Sequence, residues 1–196
     1  GNQNNTNTQT VTTKAEVAGF GEVSTPVTDS SSYFGKGRLT LLANHDTAAQ
    51  QLAAIIETGE GGLIVVDGGW TDNTDYVLNH VGALADILYK HAGEITIDGI
   101  YYSFLEDSWY AEKDANVASM VAYVKGAFAK ISPSVLHGDI VAGQVINAGP
   151  AKIQVLNQAY KENNDFVNNS SVAYMVSLNG TNVVFLGDLG RTGGEH

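Results

Sequence analysis

The stretch that most constrains this chain is Leu52 to Gly69, LAAIIETGEGGLIVVDGG. Two apolar runs flank a Gly-Glu-Gly-Gly turn, the pattern of an antiparallel hairpin. The second run is apolar at every position, which predicts a strand inside a sheet covered on both faces. It ends in Asp67-Gly68-Gly69, where glycine lets the backbone turn sharply and the aspartate is carried past the strand's end. A later run, Val183 to Leu186, closes the same way on Gly187-Asp188. A carboxylate at the end of a buried strand can face a cleft and bind a hard or borderline cation. The plainer role of such an aspartate is to cap a turn.

The elements around this hairpin set the class. Val77, Val81, Leu84 and Leu88 recur at helical spacing, and Ala115 to Lys130 carries a second apolar stripe that stops before Pro133. Ile95 to Phe104 is aromatic and β-branched and reads as a strand. Short strands are expected over 134–136, 144–147, 152–156, 171–178 and 182–186, with Asn179-Gly180 as the strongest hairpin turn. Strands, two helices, then more strands predict an α+β fold, in its layered form an αββα sandwich, over residues 33–196. Residues 1–32 are rich in Asn, Thr, Gln and Ser. Such a segment buries too little surface to offset its ordering entropy, at least over its first ten residues. It is expected to be a partly disordered tether of the kind that holds an exported, secreted or lipoprotein domain at the cell envelope, with a cytoplasmic tail as the alternative.

Composition narrows the chemistry. Of 196 residues, 21 are Asp or Glu and 10 are Lys or Arg, a net charge of −11. No basic run exists to neutralise phosphates, which weighs against a nucleic-acid partner and toward a small-molecule substrate. No apolar run reaches the length of a membrane-spanning helix. There is no cysteine. Thiol nucleophiles, disulfides and thiolate-bound zinc are therefore excluded, and His, Asp and Glu are left as metal ligands. The histidines, His45, His80, His91, His137 and His196, are scattered, with no His-x-His and no His-Glu-x-x-His. The glycines near the first hairpin match neither a phosphate-binding loop nor a dinucleotide fingerprint, and no Gly-x-Ser-x-Gly elbow occurs.

LAAIIETGEGGLIVVDGG, ITIDGIYYSF and VNNSSVAYMVSLNGTNVVFLGDLGRTGGE together resemble the metallo-β-lactamase superfamily, in the flavour of the hydrolase domain of bacterial DNA-uptake competence proteins. The resemblance runs from about Gly37 onward and implies an αββα sandwich with two zinc or similar ions at one edge. It also implies a metal-activated water that attacks an ester, amide or phosphoester. On this resemblance Asp188 matches the catalytic, metal-bridging aspartate. His80, in Asn79-His80-Val81-Gly82-Ala83-Leu84, matches the last histidine of the His-x-His-x-Asp-His metal loop. Asp67 matches an aspartate that supports the metal loop without ligating, and Gly68 and Gly69 match the glycines that turn the chain into the first helix. Asn169 and Ser170 match the Asn-Ser beside the substrate pocket.

The resemblance fails at the metal loop itself. Asn79 stands where the motif has Asp, the preceding His-x-His is absent, and the later strands with a final metal-binding histidine do not follow. Two expectations arise. Either this chain is part of a longer protein that supplies the loop and the later layer, or the loop is deleted and the chain is a compact relative without a two-metal site. The corresponding functions are a metal-dependent hydrolase and a metal-free binding or scaffold module. In the second, Tyr101, Tyr102, Trp109 and Tyr110 would form either an aromatic binding surface or, as aromatics more often do, core and rim packing.

Overall fold

A computed structural model describes residues 11–17, 21–27, 37–41, 54–67 and 82–195. It contains helices and strands in comparable amounts, an α+β architecture. Inside the segment expected to be a tether, β1 (Val11–Val17) pairs antiparallel with β2 (Gly21–Val27). Residues 1–10 lie outside the described residues.

Two antiparallel sheets share the main core. The first is ordered β3 (Arg38–Leu41), β4 (Ala54–Glu57), β5 (Leu63–Val66). The second runs β11 (Thr181–Phe185), β10 (Tyr174–Leu178), β9 (Ala151–Val155), β8 (Val145–Ala148). Ala54, Ile56 and Val66 of the first sheet are buried with Ala151, Val176 and Phe185 of the second. Alternation in the register explains this: Ile56 lies opposite Ile64 on one sheet, and Val176 lies between Ile153 and Val183 on the other. The β10–β11 turn is the expected one, with Asn179 at φ 50 and Gly180 at φ 77, the two left-handed positions of a type I′ turn.

The expected double coverage of β5 is corrected. Leu63 and Val65 are 60% and 49% exposed, and β5 is an edge strand among the described residues. Only the side chains that alternate with them, Ile64 and Val66, meet the facing sheet. An unbroken apolar run thus marks one buried face here, not two.

The third part is helical. Helices α1 (Gly82–His91) and α3 (Ala115–Phe128) pack through Ala85, Leu88, Val124, Ala127 and Phe128. Gly82 opens α1, so the apolar spacing that begins at Val77 enters the described helix only at its first turn. Asp114 caps α3, its carboxylate accepting from the Asn116 and Val117 N–H groups, as a short acidic side chain does at an N-terminus. The expected strand Ile95–Phe104 is reduced to β6 (Ile100–Tyr101), parallel to β7 (Leu136–His137), with helix α2 (Asp107–Lys113) and α3 in the crossover. Its partner β7 offers only two residues to pair, so β-branched composition upstream has no ladder to join. Ile97, Ile100, Tyr102 and Phe104 instead pack under the helices.

A tyrosine clamp ties α1 to α3. Tyr123 donates to Asp86 at 2.5 Å, Tyr89 donates to the Tyr123 carbonyl, and the two rings lie 4.9 Å apart. The bond to Asp86 pushes the Tyr123 phenol up to about 12. A raised folded-state value means that the clamp acts fully below the ordinary tyrosine value of about 10 and fades as pH rises toward 12. The difference between tyrosinate absorbance titrations of the parent and Tyr123→Phe is expected to show one step near 12. A step at the ordinary value would remove this bond from the structure.

Candidate functional site at the strand ends

Val66 at the end of β5 and Phe185 at the end of β11 are buried in the same cluster. Asp67 follows β5 at φ 51, a left-handed conformation that aspartate tolerates better than most residues. Tyr174 is pushed well above the usual tyrosine value, chiefly by burial and then by the charge of Asp67. Tyr174 is the register partner of Phe185, and Asp188 lies three residues beyond Phe185. The two strand-end aspartates therefore lie at the same end of the paired sheets.

Asp188 is set by its backbone. Gly187 turns the chain at φ 59, and a Cβ there would come within 3.0 Å of the Ser171 Cβ. The Asp188 N–H then donates to Ser171 Oγ at 3.4 Å. Ser171 directly follows a 3-10 turn, Asn168–Ser170, which brings both expected substrate residues beside the β11 end. Their polar groups are turned inward. Asn169 is buried, its Nδ2 donating to the Asn164 carbonyl at 2.8 Å and its Oδ1 accepting from the Gly193 N–H at 3.1 Å. Ser170 Oγ donates to the Val167 carbonyl at 2.9 Å.

A second buried amide completes the frame and was not singled out in the sequence. Asn157 accepts from the Ala173 N–H at 2.5 Å and donates to the Ser171 carbonyl at 3.3 Å. Ser103, just past β6, accepts from the Ala159 N–H at 3.2 Å and joins the β6 end to the same segment. Nothing in the letters separates Asn157 from the chain's many other asparagines. The nearest signal is its position, two residues past the end of β9.

Gly68, Gly69 and His80 lie outside the described residues. Of the other histidines, His91 faces Glu94 at 2.9 Å and His137 stacks on Tyr101 with ring centroids 4.5 Å apart. Among the described residues no three His, Asp or Glu side chains gather closely enough to hold a metal ion. A two-zinc centre needs several ligands for each ion. The described donors, with Asp188 as the one expected ligand among them, do not fit it.

The four aromatics divide. Tyr110 is 5% exposed and accepts from the Leu105 N–H at 3.1 Å, and burial raises its phenol value. Tyr102 packs against Phe104 and Phe128. Tyr101 is 40% exposed on its stacked histidine. Trp109 is partly buried beneath two lysines, with Lys113 Nζ 4.4 Å and Lys161 Nζ 5.8 Å from its ring centroid.

No protein-family model matches the chain, and no curated protein matches it. No helix among the described residues is long and apolar enough to cross a membrane.

Proposed function

We propose that the chain is an αββα domain of the metallo-β-lactamase type that binds a small molecule at the shared end of β5 and β11, without a metal-dependent reaction of its own. Two facing sheets and a helix pair packed over parallel strands support the architecture. The observation that carries the binding reading is the strand-end frame. Asn157, Asn169, Ser170 and Ser171 spend their polar atoms on the loops around the β11 end, where Ser171 Oγ accepts from the Asp188 N–H, and among the described residues no ligand set stands beside it. Such a frame makes a rigid rim rather than a coordination sphere. The net charge of −11 directs the site toward a small molecule, since a nucleic acid would meet repulsion over most of the surface.

One observation favours a second reading, the metal-dependent hydrolase. Asp188 stands at the end of a strand on a glycine turn, the placement a bridging carboxylate requires. That reading draws its remaining ligands from outside the described residues, His80 first among them.

Metal content separates the two. Purified protein reconstituted with zinc, manganese or iron and then dialysed is expected to retain far less than one equivalent per chain. Retention of about two equivalents, lost in Asp188→Ala, would establish the hydrolase in its place. Calorimetric titration of Asp188→Ala with any small molecule that the parent binds then tests the rim itself.

A further inference from the structure

Between the two main sheets, at the end away from Asp188, lies a cavity of about 220 Å³. The register fixes which end this is. Arg38, Glu57 and Leu63 share one row of the first sheet, and Thr181 follows the Asn179-Gly180 turn of the second. Phe185, whose strand leads on to Asp188, lies four residues further along β11, about 13 Å away. None of the residues in the strand-end frame lines the cavity.

Its walls come from both sheets. Ile56 of β4 and Val176 of β10 form the floor, and each is buried in the shared core. Beyond them the sheets meet again at Gly37 and Leu178. A Cβ on Gly37 would collide with Leu178 Cδ2, and its φ of 74 is a conformation that glycine alone adopts readily. The space is therefore walled on two sides and is not a splayed sheet end. Asn179 and Thr181 also line it, and both are exposed, which puts polar groups at the mouth.

Size and charge select the occupant. An apolar void of roughly 150 Å³ already holds a benzene ring. The cavity here has room for one ring and a short polar arm, and such a ligand would restore the dispersion contacts that the lining atoms lack. Arg38 Nε donates to the Glu57 carboxylate, an ion pair that brings no net charge to the mouth. The net charge of −11 repels anions, and a cation would have to leave water for walls of Ile, Val and Leu.

We propose that this cavity binds a neutral ring compound carrying one hydroxyl or amide group. The ring lies against Ile56, Val176 and Val183, and the polar group sits at Asn179 and Thr181. The site is separate from the strand-end site and does not depend on whether Asp188 serves a ligand or a metal.

2-Phenylethanol, a neutral ring with one hydroxyl, is the probe. Titrated into the isotope-labelled full chain, it is expected to shift the amides of Val176, Leu178 and Thr181 along one saturating curve. The midpoint is expected on the order of 1 mM, as suits so small a ligand. No saturable shift would overturn the site. Val183→Phe sets a ring where the ligand's would lie and is expected to weaken binding by about tenfold or more. Leu39→Trp fills the cavity from an edge strand, where Leu39 is 39% exposed and a larger side chain costs the fold little. Binding retained in both variants would overturn the site. Asp188→Ala is expected to leave the titration unchanged. Shifts centred on Ser171 and Asp188 would assign the probe to the strand-end site and overturn the cavity as its place. The anion 3-phenylpropanoate is expected to bind about fivefold more weakly than the alcohol. Equal or tighter binding of the anion would overturn the neutral class.

Discussion

Phe185→Ala is expected to lower the unfolding free energy by about 3–5 kcal/mol, the range for truncating a buried phenylalanine. Phe185 is 4% exposed at the end of β11 and stacks on Tyr174 with centroids 5.4 Å apart. It belongs to a cluster that contains buried residues of both sheets. Two of its fellow members, Ala54 and Ala151, are fully buried alanines, too short to move into the space the ring would leave. A cavity that neighbours cannot fill carries the full cost of lost contacts as well as lost burial. Leu186→Ala, one residue later and 58% exposed, is the control and is expected to stay within about 0.5 kcal/mol of the parent. Urea unfolding of the three proteins decides it. Equal small effects would mean that the sheets do not share a core, and the layered architecture would go with it.

The parts of the fold that the sequence disclosed are those where one local pattern determines one local structure. Asn179-Gly180 prescribes two left-handed positions, and the structure has them. The helix stripe from Val117 to Phe128 has one apolar face, and Val124, Ala127 and Phe128 on it are buried with Ala85 and Leu88 of α1. Where the outcome depended on a distant partner, the letters were insufficient. Ile95–Phe104 has strand composition but lacks a neighbour long enough to pair with, and packs its apolar side chains under helices instead. Helix α2 escaped notice because Asp107–Lys113 is short and its one buried residue, Tyr110, makes no stripe. The two strand-end aspartates stood out because glycines mark them. Of the buried asparagines near the β11 end, Asn169 stood out only through the resemblance and Asn157 not at all, because burial of a polar residue is decided by backbone groups far away in sequence: Ala173 for Asn157 and Gly193 for Asn169.

Asn169 offers the sharpest test of how that frame should be understood. A substrate-contacting asparagine can be removed at little cost to folding, whereas a structural one cannot. Asn169→Ala would leave the Gly193 N–H without its acceptor in a buried position and the Asn164 carbonyl without its donor. The first loss costs about 1–3 kcal/mol, and the second less, since Asn164 is exposed and water reaches it. A destabilisation of about 2–4 kcal/mol is expected in the absence of any ligand. Asn169→Asp discriminates further. It keeps an acceptor for Gly193 but sets a carboxylate against the Asn164 carbonyl, so it is expected to be destabilised at neutral pH and to recover as the acid protonates and can donate again. Unfolding midpoints measured across pH give the answer. A stable Asn169→Ala protein with normal exchange at Gly193 would return this residue to the substrate pocket.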